Sequence, residues 1–207
     1  QKPLGSARFE AGLDLNGRAN LEALEIRERY DEAGQVASRT EIVSIEDARR
    51  VDAGLYASVE GPVGRAFSLS GGLRGDVVGT RNQGGYFGDR ETDNGTVSGF
   101  AAVTAGPVSG FAATAQVARG FRDPTLSDRY YRGPTGRGYI TGNPDLDPET
   151  SLQLDLTLRY SSGGFRAVVY GYEYRIEDLI ERYQTAPDFF FFRNRGEARI
   201  RGIEAEI

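Results

Sequence analysis

Four residue types are missing outright: cysteine, histidine, methionine and tryptophan. Without cysteine there is no disulfide framework and no cysteine-based zinc site. Without histidine the usual general base and the commonest metal ligand are gone. Lysine is nearly absent too, with one residue against 24 arginines. Net charge is −5, which leaves no basic excess to neutralise a nucleic-acid backbone. Long hydrophobic runs are also lacking. No stretch approaches the 18 or more apolar residues of a membrane-spanning helix. Mean hydropathy is −0.46, a value typical of a soluble protein. A membrane barrel stays open as a reading, because a barrel strand needs only every second residue to be apolar.

What is present is glycine (28 residues) and Tyr plus Phe (22), a combination suited to strands and turns. Period-two alternation is the strongest pattern. Along 151–160, Leu152, Leu154, Leu156, Leu158 and Tyr160 alternate with Ser151, Gln153, Asp155, Thr157 and Arg159. A strand sends these sets to opposite faces, whereas a helix would scatter the leucines. Val168, Tyr170, Tyr172, Tyr174 and Ile176 alternate with Val169, Gly171, Glu173, Arg175 and Glu177. The segments 8–15 and 67–77 alternate clearly, and 50–60, 96–105, 110–121 and 198–207 more weakly. About eight strands are expected.

Three connections are tight: Gly61-Pro62-Val63-Gly64, Gly106-Pro107-Val108-Ser109 and Ser161-Ser162-Gly163-Gly164. The others, about 16–49, 81–95, 122–149 and 178–196, are expected to be long loops. Strict alternation of short turns and long loops marks outer-membrane barrels. Strands of about 10 residues, tilted near 45°, rise ~24 Å, close to the ~25 Å apolar band of such barrels. Tyr172, Tyr174 and Tyr183 are expected in an interfacial girdle. The segment 20–32 admits an amphipathic helix, but bracketing by Gly17 and Gly34 favours a strand extension or loop.

Three motifs carry a family resemblance. Residues 119–130, RGFRDPTLSDRY, resemble the "GFRxPxLxELY" stretch of TonB-dependent receptors. Residues 142–151, GNPDLDPETS, resemble the family's "GNPxLxPExS". Residues 194–204, NRGEARIRGIE, resemble its "NxGxAxxxGxE". Asp123 stands where a small residue is usual, and Asp128-Arg129 replace the commoner Glu-Leu. These departures are expected to touch a loop and to bear on ligand choice. Arg119, Phe121, Arg122, Pro124, Gly142, Asn143, Pro144, Pro148, Glu149, Asn194, Gly196, Gly202 and Glu204 match motif positions and read as architectural. Pro124 and Pro148 end strand pairing, and Arg122 and Glu149 are expected in buried polar contacts.

The resemblance implies an all-β, antiparallel transmembrane barrel segment, about eight strands of a barrel of about 22 with a plugged lumen. Residues 1–207 then form a partial barrel. Gln1 is not a start residue and 204–207 ends within an alternating segment, so plug domain, TonB box and terminal strands are expected outside it. The implied function is TonB-energised uptake of a scarce nutrient complex, a ferric siderophore first, across the outer membrane of a Gram-negative bacterium. Implied partners are outer-membrane lipid and lipopolysaccharide, the TonB complex through the region outside this chain, and a small-molecule ligand. No cofactor, metal or nucleic-acid partner is implied.

Candidate ligand contacts lie in the loops: Arg81, Tyr86, Phe87 and Arg90 in one, Tyr130, Tyr131, Arg132, Arg137 and Tyr139 in another. Arginine pairs with anionic chelates and aromatic faces pack on flat ligands. Loop packing and interfacial anchoring would explain the same residues. Phe189-Phe190-Phe191-Phe192 reads as a buried loop plug or a hydrophobic ligand wall. Arg74-Gly75-Asp76 is a chance tripeptide inside a strand. Asp145, Asp147 and Glu149 fit turn chemistry as well as cation binding, and Asp89, Asp93 and Asn94 lack EF-hand spacing. Nothing assembles a catalytic site. The rival readings are a passive porin-like channel and a secreted β-sandwich binding protein.

Overall fold

The computed structural model describes residues 2–4 and 7–207, with side chains from Ala7 onward. Eight long strands follow the eight alternating segments: β2 (Ala7–Tyr30), β3 (Val36–Val63), β4 (Phe67–Asn82), β5 (Arg90–Val108), β6 (Phe111–Arg122), β9 (Glu149–Ser162), β10 (Phe165–Ala186) and β11 (Phe189–Glu206). A short β1 (Lys2–Leu4) precedes them. Between β6 and β9 lie a five-residue helix α1 (Leu126–Tyr130) and a small hairpin, β7 (Arg132–Thr135) and β8 (Gly138–Thr141). All strands join one sheet in the order β1-β2-β3-β4-β5-β6-β9-β10-β11-β8-β7. Pairing is antiparallel throughout except for β8 on β11, which is parallel.

The tight connections sit where glycine and proline cluster. Gly163 and Gly164 close β9 onto β10 with φ of 59° and 85°, the left-handed pair that a two-residue hairpin requires. Of the four expected long loops, only 123–148 is long. The others shrink to 31–35, 83–89 and 187–188, because the strands run on past the apolar segments. Residues 20–30 are part of β2, a strand extension as preferred. These extensions were illegible as strands because most of their length is uncovered on both faces, so little apolar alternation exists. Charge does the pairing instead: Glu28 faces Arg39, 3.8 Å apart.

Leu152, Leu154, Leu156 and Leu158 are 49–56% exposed, while the residues between them are sheltered. Register puts Leu13, Leu55, Leu73, Val103, Val117 and Ile203 on the leucine face. The opposite face is polar and partly enclosed. Segment 123–131 folds across it, and Val78, Thr80 and Asn82, alternate residues of β4, are buried, Asn82 donating to the Gly84 and Gly88 carbonyls of its own loop. The sheet therefore curls around this segment, which reaches from β6 over to β3, where Arg50 donates to Asp123.

The apolar band crosses the sheet obliquely. Its upper limit is Val77 on β4 but Ile203 on β11, beyond which Arg201 and Arg199 share the face. Followed through the pairings, Ile203 lies in line with Leu69, eight residues short of Val77 after five strand steps. Strands ~4.8 Å apart and tilted near 45° require a slip of about 1.4 residues per strand to keep one height. The observed slip, eight residues over five steps, is close to that value.

The aromatic girdle differs in part from expectation. Tyr172 and Tyr174 stand opposite Asp155 and Gln153, on the polar face. Tyr183, beyond the pairing of β10 with β9, stands opposite Phe191 on the leucine face. Periodicity separates two faces without saying which is outward, and only register decides. Leucine-face aromatics also gather at the tight-turn end. Phe111 packs on Tyr160 at 4.5 Å and Tyr160 lies 6.2 Å from Phe165.

Candidate functional site

The root of segment 123–148 is built from the motif residues. Arg122 extends the ladder opposite Glu149 and forks onto its carboxylate at 2.9 and 3.1 Å. Glu149 also accepts the Ile180 N–H at 2.9 Å. The expected contact exists, but the Arg122 side chain is 44% exposed rather than buried. Burial raises the Glu149 carboxyl, yet the Arg122 hydrogen bond and the Ile180 N–H outweigh it and leave its pKa below the usual value. Arg119 donates to the Val97 carbonyl, and Phe121 stands opposite Thr150.

Asn194 ties the third motif to the second. Its Oδ1 accepts the Asp147 N–H at 2.9 Å, and its Nδ2 donates to the Asp147 and Asp178 carbonyls. Asn143 caps its own turn by accepting the Asp145 N–H at 3.0 Å, and it donates to the Phe192 carbonyl. Gly142 leaves room for the Arg129 carbonyl, which a Cβ would meet at 2.6 Å. Gly202 lies under the Tyr172 ring, and a Cβ there would meet its hydroxyl at 2.6 Å. Gly196 has open space around it, and Glu204 stands opposite Tyr170. Pro148 immediately precedes β9. Turn chemistry thus accounts for the Asp145–Glu149 cluster, and no metal-holding group of acids exists among the described residues.

The three departures from the motif fall at the root of the 123–148 segment. Asp128 completes a capping box with Thr125 at the start of α1. Asp123 is buried and accepts from Arg50 at 3.0 Å and Asn94 at 2.6 Å. Arg129 is buried beside it and donates to the Pro144 carbonyl at 2.7 Å. Pro124 is fully buried, with its carbonyl accepting from Arg50 at 2.8 Å.

Five of the nine candidate contact residues come together above this root. Arg132 lies 4.1 Å from the Tyr86 ring centre and 5.3 Å from that of Tyr139. Phe87 meets Tyr86 edge-on at 4.9 Å, and Tyr131 packs with Phe87 against the buried cluster of Ile45, Ala48, Leu126 and Tyr130. The Tyr131 hydroxyl donates to the Pro134 carbonyl at 2.8 Å. Its pKa is raised by burial first, then by the charges of Glu25 and Tyr139. Tyr130 is 0% exposed and belongs to the core. Arg81, Arg90 and Arg137 are exposed and stand apart: Arg81 opposite Glu91, Arg90 opposite Asn82, Arg137 in the β7–β8 turn.

One member escaped sequence reasoning. Arg27, held by Glu25, lies 5.9 Å from the Tyr139 ring, and Phe189, from the phenylalanine run singled out in the sequence, lies 5.9 Å from it. Arg27 carries no local signal, since the curl of the sheet brings β2 to the hairpin. The phenylalanine run alternates in β11 with Phe189 half exposed, so it is no buried plug. Among the described residues no carboxylate pairs with Arg132. A guanidinium whose faces are taken by rings keeps its N–H edge for an anion.

The family model for "TonB dependent receptor-like, beta-barrel" matches residues 4–207. An iron-regulated outer membrane virulence protein of Vibrio cholerae is 41% identical over 69 residues, 32% of this chain and 11% of that protein. The vitamin B12 transporter BtuB of Vibrio vulnificus is 32% identical over 93 residues, 44% of this chain and 14% of that protein. The solved structure of the copper transporter OprC superposes with a TM-score of 0.75 at 19% identity, covering 98% of this chain and 32% of that one. The chain thus spans about a third of that structure's length, and the matched segments about a tenth of the curated relatives.

Proposed function

Because the chain belongs to the TonB-dependent receptor β-barrel family, we propose that it is wall and mouth of an outer-membrane receptor that takes up an anionic nutrient complex, a ferric siderophore first. The leucine face meets lipid and the polar face lines the lumen. The rest of the barrel wall lies in the remainder of the receptor, and passage is driven by the TonB complex. A passive channel fits family membership less well, and a soluble sandwich would not leave its leucine face open.

The observation that carries the reading is Arg132, a cation between Tyr86 and Tyr139 with no carboxylate partner among the described residues. It suits an anionic chelate bearing flat aromatic groups, paired by the guanidinium edge and packed on the rings. Copper suits it less: this chain offers no thiolate, thioether or imidazole, the donors that copper prefers.

The test is uptake of ⁵⁵Fe-loaded catecholate and hydroxamate chelates by cells carrying the full-length receptor, with and without a working TonB. Uptake that needs both receptor and TonB, with a half-saturation concentration raised about tenfold in Arg132→Ala, is expected. Receptor-dependent uptake that persists without TonB would mean a passive channel, and no chelate uptake would end the siderophore reading.

A further inference from the structure

Two of the motif departures sit against each other. Asp123 replaces a small residue and is 6% exposed; Arg129 replaces leucine and its side chain is 1% exposed. A buried carboxylate or a buried guanidinium alone is strongly unfavourable, and each becomes tolerable when the other is present. Arg129 Nη2 lies 4.0 Å from Asp123 Oδ1, while its Nε and Nη2 have no hydrogen-bond acceptor. Its Nη1 is satisfied by a neutral carbonyl, that of Pro144. Asp123 is therefore the carboxylate that offsets the Arg129 charge.

Asp123 also faces Arg50, which in turn forks onto Asp52 at 2.6 to 3.0 Å. The cluster of Arg50, Asp52, Asp123 and Arg129 is neutral. Through these contacts, with the Asn94 amide, one carboxylate joins β3, β5, α1 and the turn at Pro144. Tyr131 and Arg132 follow Arg129 with only Tyr130 between, so any rotation of α1 displaces both.

We infer that Asp123 is a positioning residue: paired with Arg129, it locks α1 so that Tyr131 and Arg132 are held ready for ligand. The inference rests on the loop cluster being the ligand site, as proposed above. The lock itself can be read without any ligand.

The experiment uses the full-length receptor with Asp123→Ala, Arg129→Leu, both together, and Asp123→Asn. Tryptic cleavage at Arg137, in the exposed β7–β8 turn, requires local opening and so reports how firmly the segment is held. Asp123→Ala is expected to speed cleavage about tenfold, and Arg129→Leu several-fold. The double variant, which restores the family's small residue and leucine, is expected near the wild-type rate. Asp123→Asn keeps an acceptor for Arg50 but no charge, and should resemble Asp123→Ala. If the single variants fail to assemble while the double variant does, the same coupling is shown. Additive effects, unchanged cleavage, or failure of the double variant to assemble would overturn the lock.

Positioning is read by uptake of a ⁵⁵Fe-loaded tris-catecholate chelate. Asp123→Ala should raise half-saturation about tenfold at an unchanged maximal rate, with recovery in the double variant. An unchanged half-saturation beside faster cleavage would overturn the positioning role. If the wild type takes up none of this chelate, the siderophore reading fails, and the cleavage cycle alone decides for or against the lock.

Discussion

Glu149 shows how one side chain couples strands to loop. It holds Arg122 and the Ile180 N–H together at the upper end of β9. Its pKa is depressed, so its contribution is present above the ordinary carboxylate value of 4.5 and is lost as pH falls through the lowered value. Arg122 is about half exposed, so solvent screening limits the effect to about 1 kcal/mol or less. Amide protection at Ile180, corrected for intrinsic exchange, should fall on acidification below pH 4.5 in the native receptor. Glu149→Gln should lose that pH dependence. Gly202 makes a second residue-scale case. A methyl group there meets the Tyr172 ring, and Gly202→Ala should cost roughly 1–3 kcal/mol in denaturant unfolding from lipid vesicles. The cost should largely vanish in a Tyr172→Ala background, where the obstructing ring is absent. The motif asparagines and glycines were legible as architecture from sequence, since local turn chemistry and missing side chains are local facts. The partnership of Asp123 with Arg129 was not legible, because their burial depends on Arg50 and Asn94 from distant strands.

At the scale of the strand, alternation revealed every long element but only its apolar part. Leu152 to Leu158 announce β9 because one face is bare and the other sheltered. Residues 18–48 conceal a two-stranded ribbon because most of it meets water on both faces, while Ile45 and Ala48 are covered by α1, a contact distant in sequence. The same logic explains the misplaced girdle: Tyr170, Tyr172 and Tyr174 are the more apolar set of β10, yet register with Asp155 turns them inward. Outward Glu173 and Arg175 follow from the oblique band, which on β10 has already ended at Gly171. Charge should therefore be tolerated very differently at neighbouring positions. Leu154→Arg, within the band, should destabilise the receptor in lipid by about 2–4 kcal/mol, and Gln153→Arg, on the polar face, by much less. Urea unfolding of both variants from phosphatidylcholine vesicles would compare them.

For the whole molecule, the decisive facts are the uncovered leucine face and the enclosed polar one. Sheet order is linear, with β1 at one end and β7 at the other. On the proposed membrane reading an open sheet in hydrocarbon would leave backbone groups unpaired, so further strands would be needed to complete the ring. The root of segment 123–148 is packed within the curl, which places the arginine–tyrosine cluster against a packed wall and would lower the cost of ordering the proposed ligand there. The curl itself was not legible, since it joins β2, β3 and β11 to one hairpin through contacts far apart in sequence. The most direct test is oxygen and water-soluble nickel accessibility at single spin labels on 152–158 of the full-length receptor in bilayers. High oxygen and low nickel accessibility at 152, 154, 156 and 158, with the reverse or neither at 153, 155 and 157, is expected. Accessibility without a two-residue period, or with the leucine positions sealed from lipid, would contradict a lipid-facing leucine wall.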